Sequence, residues 1–119
     1  MAYKNNSFGK ESSCIMYGIT NGVLSDHKGL QKIIHNALEE ENLNIMTSKI
    51  LQTKFHGCSI MVGLEDSNLI LNTFPDKKSA HLYFYSRDET NGKKACKSIE
   101  QQLNPESTAP SNRYIPLGN

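Results

Sequence analysis

Residues 57–76 read GCSIMVGLEDSNLILNTFPD, and this stretch decides the fold. Apolar residues dominate Cys58 to Leu64 and Leu69 to Thr73, which predicts two β-strands. Between them lies Glu65-Asp66-Ser67-Asn68, a polar and acidic sequence that is typical of a turn. The stretch is therefore predicted to form a pair of strands joined at an acidic corner.

The flanking sequence predicts three further strands, two helices and a short edge strand. Apolar residues recur at helical spacing from Leu30 to Leu38, after a capping Ser25, and again from Ala95 to Leu103. A turn is expected at Asn21-Gly22, and the segment 105–112 is expected to be a polar loop. The additional strands are predicted at Ser13–Thr20, Leu43–Thr53, Ala80–Ser86 and, as the edge strand, Arg113–Leu117.

The predicted order β-α-β-β-β-α-(β) indicates an α+β fold with an antiparallel-rich sheet and both helices on one face. Residues 1–12 are expected to be a flexible N-terminus, and residues 13–119 a single domain. Ile60-Met61-Val62 and Leu69-Ile70-Leu71 are apolar at consecutive positions, so both faces of the sheet require burial. The face without helices is therefore predicted to pack against another copy of the chain.

Composition excludes several classes of partner. The 119-residue chain has a net charge of +1 with interspersed charges, which argues against a nucleic-acid polymer. Its three cysteines are widely spaced, as expected for a reduced, cytoplasmic protein. The N-terminal sequence lacks a long apolar run, so no membrane association is expected. His56, Cys58 and His81 lack the spacing that is typical of a metal site, and no metal is predicted.

The acidic corner and its flanks resemble the prokaryotic S-adenosylmethionine decarboxylase family. Gly57 and Ser59 match a Gly-x-Ser strand of that family, and Thr73-Phe74-Pro75-Asp76 matches its Thr-Trp-Pro-Glu segment. Ser67 falls on the serine that becomes a pyruvoyl group, an electron sink that forms an imine with the substrate amine. The resemblance implies a ferredoxin-like or PII-like fold and a homo-oligomer, either a dimer or a trimer, with its site near the interface.

This chain departs from the family at the groups that carry the chemistry. Asn68 and Asn72 stand where the family has histidines, and Ser86 and Arg87 stand where it has a proton-donating cysteine. These departures argue against a pyruvoyl group, so no cofactor is expected unless Ser67 is processed. An ordinary turn role for Ser67 remains open.

The resemblance implies a site for an adenosylmethionine-type ligand. A carboxylate, Glu65 or Asp66, would orient the charged arm, and Tyr83 or Tyr85 would contact the sulfonium or adenine. The alternatives are an exposed acidic turn and ordinary packing of the tyrosines. The candidate catalytic residues are Glu65, Asp66 and Ser67, and the candidate substrate-binding residues are Ser59, Asn68, Asn72, Phe74, Tyr83 and Tyr85.

Three functions are compatible with these residues. The leading hypothesis is a lyase that cleaves adenosylmethionine, or its nucleotide conjugate SAM-AMP, to a methylthioadenosine product and homoserine lactone without a pyruvoyl group. Phage-encoded lyases and relatives in antiviral defence are similar small oligomers. The alternatives are a divergent pyruvoyl-dependent decarboxylase and a non-catalytic module that binds an adenosine-type ligand.

Overall fold

The computed structural model describes residues 8–87 and 92–117 and contains six strands and three α-helices within them. The helices are α1 (Asn21–Leu24), α2 (His27–Glu40) and α3 (Gly92–Leu103). The strands are β1 (Phe8–Tyr17), β2 (Thr47–Gln52), β3 (Cys58–Gly63), β4 (Ser67–Phe74), β5 (Ser79–Ser86) and β6 (Ser107–Pro116).

The strands form one sheet in the order β2-β3-β4-β5-β1-β6, and every neighbouring pair is antiparallel. The central hairpin predicted from residues 57–76 is β3 and β4, with Gly63 opposite Asn68 and Ser59 opposite Asn72. The predicted α+β class with an antiparallel sheet is confirmed. The hairpin lies next to β5, so the segment that carries the sequence motif is central to the sheet.

Alternation along the strands separates two faces of the sheet. On the helix face, Leu69 and Leu71 of β4 and Leu82 and Phe84 of β5 are buried with the apolar sides of α2 and α3. The buried positions of α2 are Leu30, Ile34, Ala37 and Leu38, as its predicted apolar stripe requires. The N-cap of α2 is Asp26 and not Ser25, because the Asp26 side chain accepts a hydrogen bond from Gly29 N–H at 3.1 Å.

The other face, here called the open face, carries the alternate side chains and has no helix over it. Apolar side chains remain accessible there: Ile15 is 38% exposed, Tyr17 45% and Phe74 47%. Together with half-buried Met61 and Ile70, they line a surface that water contacts in the single chain. The interpretation that consecutive apolar residues in β3 and β4 supply both faces therefore agrees with the structure.

The first strand begins earlier than predicted. β1 spans Phe8–Tyr17 instead of Ser13–Thr20, so residues 8–12 of the segment expected to be flexible belong to a strand. Residues 1–7 lie outside the described residues. The physical reason is pairing on both edges, since β1 is hydrogen-bonded to β5 and β6. Ladder hydrogen bonds on two sides hold a polar segment that its own composition does not mark as a strand.

The last strand is also longer than predicted. β6 covers Ser107–Pro116 and pairs with β1 over its whole length, so the polar loop expected at 105–112 is wrong. Most of its residues are exposed, which is why its composition is that of a loop. Pro110 and Pro116 are tolerated because β6 is an edge strand.

Two other boundaries differ from prediction. β2 begins at Thr47 and not at Leu43, because Leu43 and Ile45 pack against the core outside the sheet. The turn expected at Asn21-Gly22 is the start of the short helix α1. Among the described residues the longest helix has 14 residues, and none is long and apolar enough to cross a membrane.

Gly57 permits a close approach between the β2–β3 loop and the end of β4. A Cβ atom at this position would lie 2.5 Å from the Thr73 carbonyl oxygen and 2.7 Å from Thr53 Oγ1.

We expect Gly57→Ala to lower the free energy of unfolding by about 1–3 kcal/mol, because the backbone has to move. Gly22→Ala is the control, since nothing lies within 4 Å of its Cβ. It should be neutral or stabilise by about 0.4–1 kcal/mol. Equal urea midpoints for the two variants would contradict this packing.

Candidate active site

The acidic corner is a tight turn between β3 and β4. Leu64 N–H donates to the Ser67 carbonyl oxygen at 2.8 Å, which leaves Glu65 and Asp66 at the tip. Both acidic side chains are exposed. The Asp66 carbonyl oxygen accepts a hydrogen bond of 3.0 Å from Arg87 N–H, so the main chain after β5 holds the peptide that precedes Ser67.

Ser67 lies on the helix face of the sheet. Its register partner across the β4–β5 ladder is Ser86, and both are buried. Because neighbouring residues in a strand face opposite ways, Asn68 lies on the open face. Ser67 and Asn68 are adjacent in sequence, but their side chains therefore lie on opposite faces of the sheet.

A row of four polar residues and one glycine crosses the open face at the corner end. Each member is the register partner of the next on five successive strands. We call this set the polar row, and its members are Gly63, Asn68, Tyr85, Glu11 and Arg113. The aromatic ring of Tyr85 passes over Gly9, which is buried although it has no side chain.

A hydrogen bond joins the polar row to the next row of the open face. Tyr83 O–H donates to Glu11 Oε2 at 2.8 Å, and Arg113 Nε lies 3.8 Å from Glu11 Oε1. The Glu11 side chain is 30% exposed and that of Arg113 is 73% exposed. Desolvation and the bond to Glu11 raise the pKa of the Tyr83 phenol. Tyr83 therefore stays a neutral hydrogen-bond donor around neutral pH.

A second polar contact lies further along β3 and β4. Ser59 and Asn72 are register partners, and Ser59 Oγ donates to Asn72 Oδ1 at 2.5 Å. This bond fixes the orientation of the Asn72 amide on the open face. His81 is the register partner of Asn72 on β5 and is half-buried.

A shallow cavity of about 380 Å³ opens beside the polar row. Its walls include Met61 and Ile70, and its polar groups include Lys49 and Asn68. Gly63 lies between β2 and Asn68, and because it has no side chain the Thr47 methyl group packs directly over it. An apolar surface with a few polar groups is typical of small-molecule sites.

The structure brings together some of the predicted site residues and separates others. Asn68 and Tyr85 are neighbours in the polar row, with Tyr83 in the next row and the Ser59–Asn72 pair beyond it. Phe74 is on the same face but at the opposite end of β4, about 20 Å from Asn68 at the usual strand rise. Glu65 and Asp66 are at the turn tip and Ser67 is on the helix face, so these three do not lie with the tyrosines on the open face. The cavity beside the polar row is lined by Asn68 but by neither tyrosine.

Three charged residues of this region, Glu11, Lys49 and Arg113, were not predicted from the sequence. Glu11 belongs to the segment that was expected to be flexible, and Arg113 to a strand whose pairing partner was unknown. The sequence did contain a signal for Glu11. If the strand predicted from Ser13 is extended towards the N-terminus, Glu11 lies two residues before Ser13 and therefore on the same face. Among residues 8–87 and 92–117, no three His, Cys, Asp or Glu side chains are arranged to hold a metal ion.

Comparison with known proteins identifies the family. The model of the family described as S-adenosylmethionine decarboxylase matches residues 12–112, which is most of the chain. The chain belongs to this family. The resemblance seen at the corner thus extends over all three described helices and over at least part of every described strand.

Individual relatives agree with this assignment. The chain is 28% identical to the S-adenosylmethionine decarboxylase proenzyme of Picrophilus torridus over 77% of its length and 72% of that protein. It is 26% identical to the S-adenosylmethionine decarboxylase proenzyme of Brevibacillus brevis over 87% of its length and 78% of that protein. A third relative is the arginine decarboxylase proenzyme of Ignicoccus hospitalis, with 28% identity over 76% of this chain and 65% of that protein.

A solved structure supports the fold. The crystal structure of the adenosylmethionine decarboxylase from Aquifex aeolicus VF5 superposes with a TM-score of 0.86. The match covers 96% of this chain and 95% of that one, at 20% sequence identity. The six-stranded arrangement is thus shared with a family member, although four residues in five differ.

The contact between Gly9 and Tyr85 gives a way to disturb the polar row. A Cβ atom at Gly9 would lie 2.6 Å from Tyr85 Cε1, and the ring end can swing aside. We expect Gly9→Ala to displace the Tyr85 ring and to cost no more than about 1–2 kcal/mol of stability. Aromatic NMR signals report the displacement, and urea unfolding reports the stability. Unchanged Tyr85 signals in a folded Gly9→Ala protein would contradict the predicted contact.

Proposed function

We propose that this protein is a lyase that cleaves adenosylmethionine, or a nucleotide conjugate of it, without a pyruvoyl group. The products are a methylthioadenosine compound and homoserine lactone. The observation that carries the proposal is the position of the polar groups. Asn68, Tyr85, Tyr83 and Glu11 lie together on the open face, whereas Ser67 is buried on the other face.

The chemistry of the substituted positions supports a mechanism without a pyruvoyl group. Asn68 and Asn72 carry neutral amides, which donate and accept hydrogen bonds but do not exchange protons near neutral pH. Ser86 is a poor acid, and the Arg87 guanidinium does not release its proton in this range. These residues suit a site that binds and orients a ligand better than one that generates a carbonyl cofactor.

The proposed reaction needs no nucleophile from the protein. An oxygen of the substrate carboxylate attacks the γ-carbon of the methionine arm, and the bond from that carbon to sulfur breaks. The electron pair moves to sulfur, which changes from a sulfonium to a neutral thioether. The arm leaves as homoserine lactone with its ammonium group intact, so atoms and charges balance.

The protein contributes by folding the methionine arm and by keeping water away. Positioning of reacting groups accounts for up to about 7–11 kcal/mol of a barrier in favourable cases. In this proposal Asn68 and the Ser59-bound Asn72 hydrogen-bond polar atoms of the ligand, and Tyr85 contacts the sulfonium or adenine. The apolar cavity beside Met61 and Ile70 would take the adenine ring by packing against these aliphatic side chains.

A homo-oligomer is part of the proposal. The open face exposes Ile15, Tyr17 and Phe74, and a second copy packed there would bury them. The same packing would enclose the polar row and exclude water from the site.

Incubation of the purified protein with adenosylmethionine, followed by chromatography, tests the proposed reaction. We expect methylthioadenosine and homoserine lactone to appear in equal amounts. The adenylated conjugate is assayed in parallel. Asn68→Ala should reduce the rate at least about tenfold, since a hydrogen bond to the ligand is lost. Lys32→Ala on the exposed side of α2 is the control and should not change it. Absence of both products from both substrates would exclude the lyase.

One observation favours a divergent decarboxylase as the second candidate. Processing would require Ser67 Oγ to attack the carbonyl carbon of Asp66, and that carbonyl oxygen accepts the Arg87 N–H bond at 3.0 Å. A donor at this position polarises the carbonyl and stabilises an oxyanion. The relatives described as decarboxylase proenzymes make this candidate consistent with the family.

Denaturing mass spectrometry distinguishes the two candidates. The lyase proposal predicts one species near the full mass of 13.3 kDa. A decarboxylase would show two fragments, divided between Asp66 and Ser67, and the fragment that begins at residue 67 would carry a pyruvoyl group. Ser67→Ala gives the matched control, because it abolishes processing but leaves an unprocessed lyase active. Two fragments in the parent protein and a single full-length species in Ser67→Ala would establish processing at Ser67 and favour the decarboxylase over the lyase.

A further inference from the structure

We infer that Glu11 binds the ammonium group of the substrate and thereby selects ligands that keep the amino-acid arm. This inference rests on the proposed function, because it assumes an adenosylmethionine-type ligand on the open face. It replaces the expectation that Glu65 or Asp66 orients the charged arm. The role belongs to a carboxylate that the sequence did not identify.

The two oxygens of Glu11 have different surroundings. Oε2 accepts the Tyr83 hydroxyl at 2.8 Å, which holds the carboxylate in one orientation. Oε1 lies 3.8 Å from Arg113 Nε, which is too long for a hydrogen bond. Oε1 thus retains lone pairs that an ammonium donor can use.

Arg113 is a weak competitor for this carboxylate. It lies on the edge strand β6 with its side chain 73% exposed, so solvent screens the attraction. The Glu11 side chain is 30% exposed, so it is accessible from the open face but is not surrounded by water. A small ammonium group with three donors can approach Oε1 without displacing Tyr83.

The surroundings of Glu11 fit the rest of the proposed ligand. Tyr85 is its register partner on the neighbouring strand, and Asn68 lies one strand further along the polar row, about 10 Å from Glu11 across the sheet. An aromatic ring therefore neighbours the carboxylate, and an amide lies within reach of the other end of an extended ligand. Within residues 8–87 and 92–117, the Glu65 and Asp66 side chains make no hydrogen bond or ion pair, and both are exposed at the turn tip. Water competes strongly for an ammonium at an exposed carboxylate, and binding there is correspondingly weak.

Calorimetry with two stable ligands tests the inference. Adenosylhomocysteine carries the ammonium and carboxylate on a thioether, whereas methylthioadenosine lacks the whole amino-acid arm. We expect Glu11→Gln to weaken adenosylhomocysteine binding about tenfold or more, because a charge-assisted hydrogen bond is lost. Methylthioadenosine binding should change less than about twofold, which a general loss of structure would not produce.

Matched variants complete the experiment. Glu39→Gln removes the same charge from the exposed surface of α2 and should affect neither ligand. Arg113→Ala, at an exposed position, removes the competing cation and should leave adenosylhomocysteine binding equal or tighter. Weaker binding in Arg113→Ala, or an equal change for both ligands in Glu11→Gln, would overturn the inference. So would a selective loss in Glu65→Gln or Asp66→Asn.

The outcomes separate this inference from the proposed function. If the parent protein binds neither ligand and forms no methylthioadenosine product from adenosylmethionine or from its adenylated conjugate, the proposed function fails and the inference falls with it. If the parent protein is active but Glu11→Gln keeps the parent ratio of affinities, only the assignment of Glu11 is wrong.

Discussion

Successive residues of a β-strand cannot share a face, and this constraint organises the whole candidate site. At the start of β4 it places Ser67 beneath the helices and Asn68 on the open face. The same alternation places Tyr83 and Tyr85 with Asn68, and Phe84 in the core. The positions of the serine and the amides thus follow from the register of the central hairpin, and those of the tyrosines from the register of β5 against β4.

The central hairpin and the two amphipathic helices were predictable because each carries its own periodic signal. β3, β4 and β5 alternate or run apolar over at least six residues, and the buried positions of α2 recur at helical spacing. The family resemblance came from the same segment, where residue types and spacing are most specific. These elements are stabilised mainly by burial of their own side chains.

The two strands at the far side of the sheet were not predictable in the same way. After Phe8 and Gly9, the first half of β1 is polar, and β6 is exposed along most of its length, so the start of neither strand shows the alternation of a half-buried strand. Each is held by backbone hydrogen bonds to a strand distant in sequence. Phe8 and Tyr114 pack edge to face across this pair of strands, with ring centroids 6.5 Å apart. The local sequence around either residue does not predict this contact. Glu11 and Arg113 were missed for this reason, since their proximity arises only from the β1–β6 register.

The acidic corner is held by a hydrogen bond from the main-chain N–H of Arg87 to the Asp66 carbonyl oxygen, and the Arg87 guanidinium takes no part in that bond. An amide N–H is present in every residue except proline, so the turn geometry is independent of which side chain stands at position 87. Chemical groups at that position can therefore be exchanged over evolutionary time while the Asp66–Ser67 peptide keeps its place. A scaffold of this kind tolerates a change of reaction without first rebuilding its architecture.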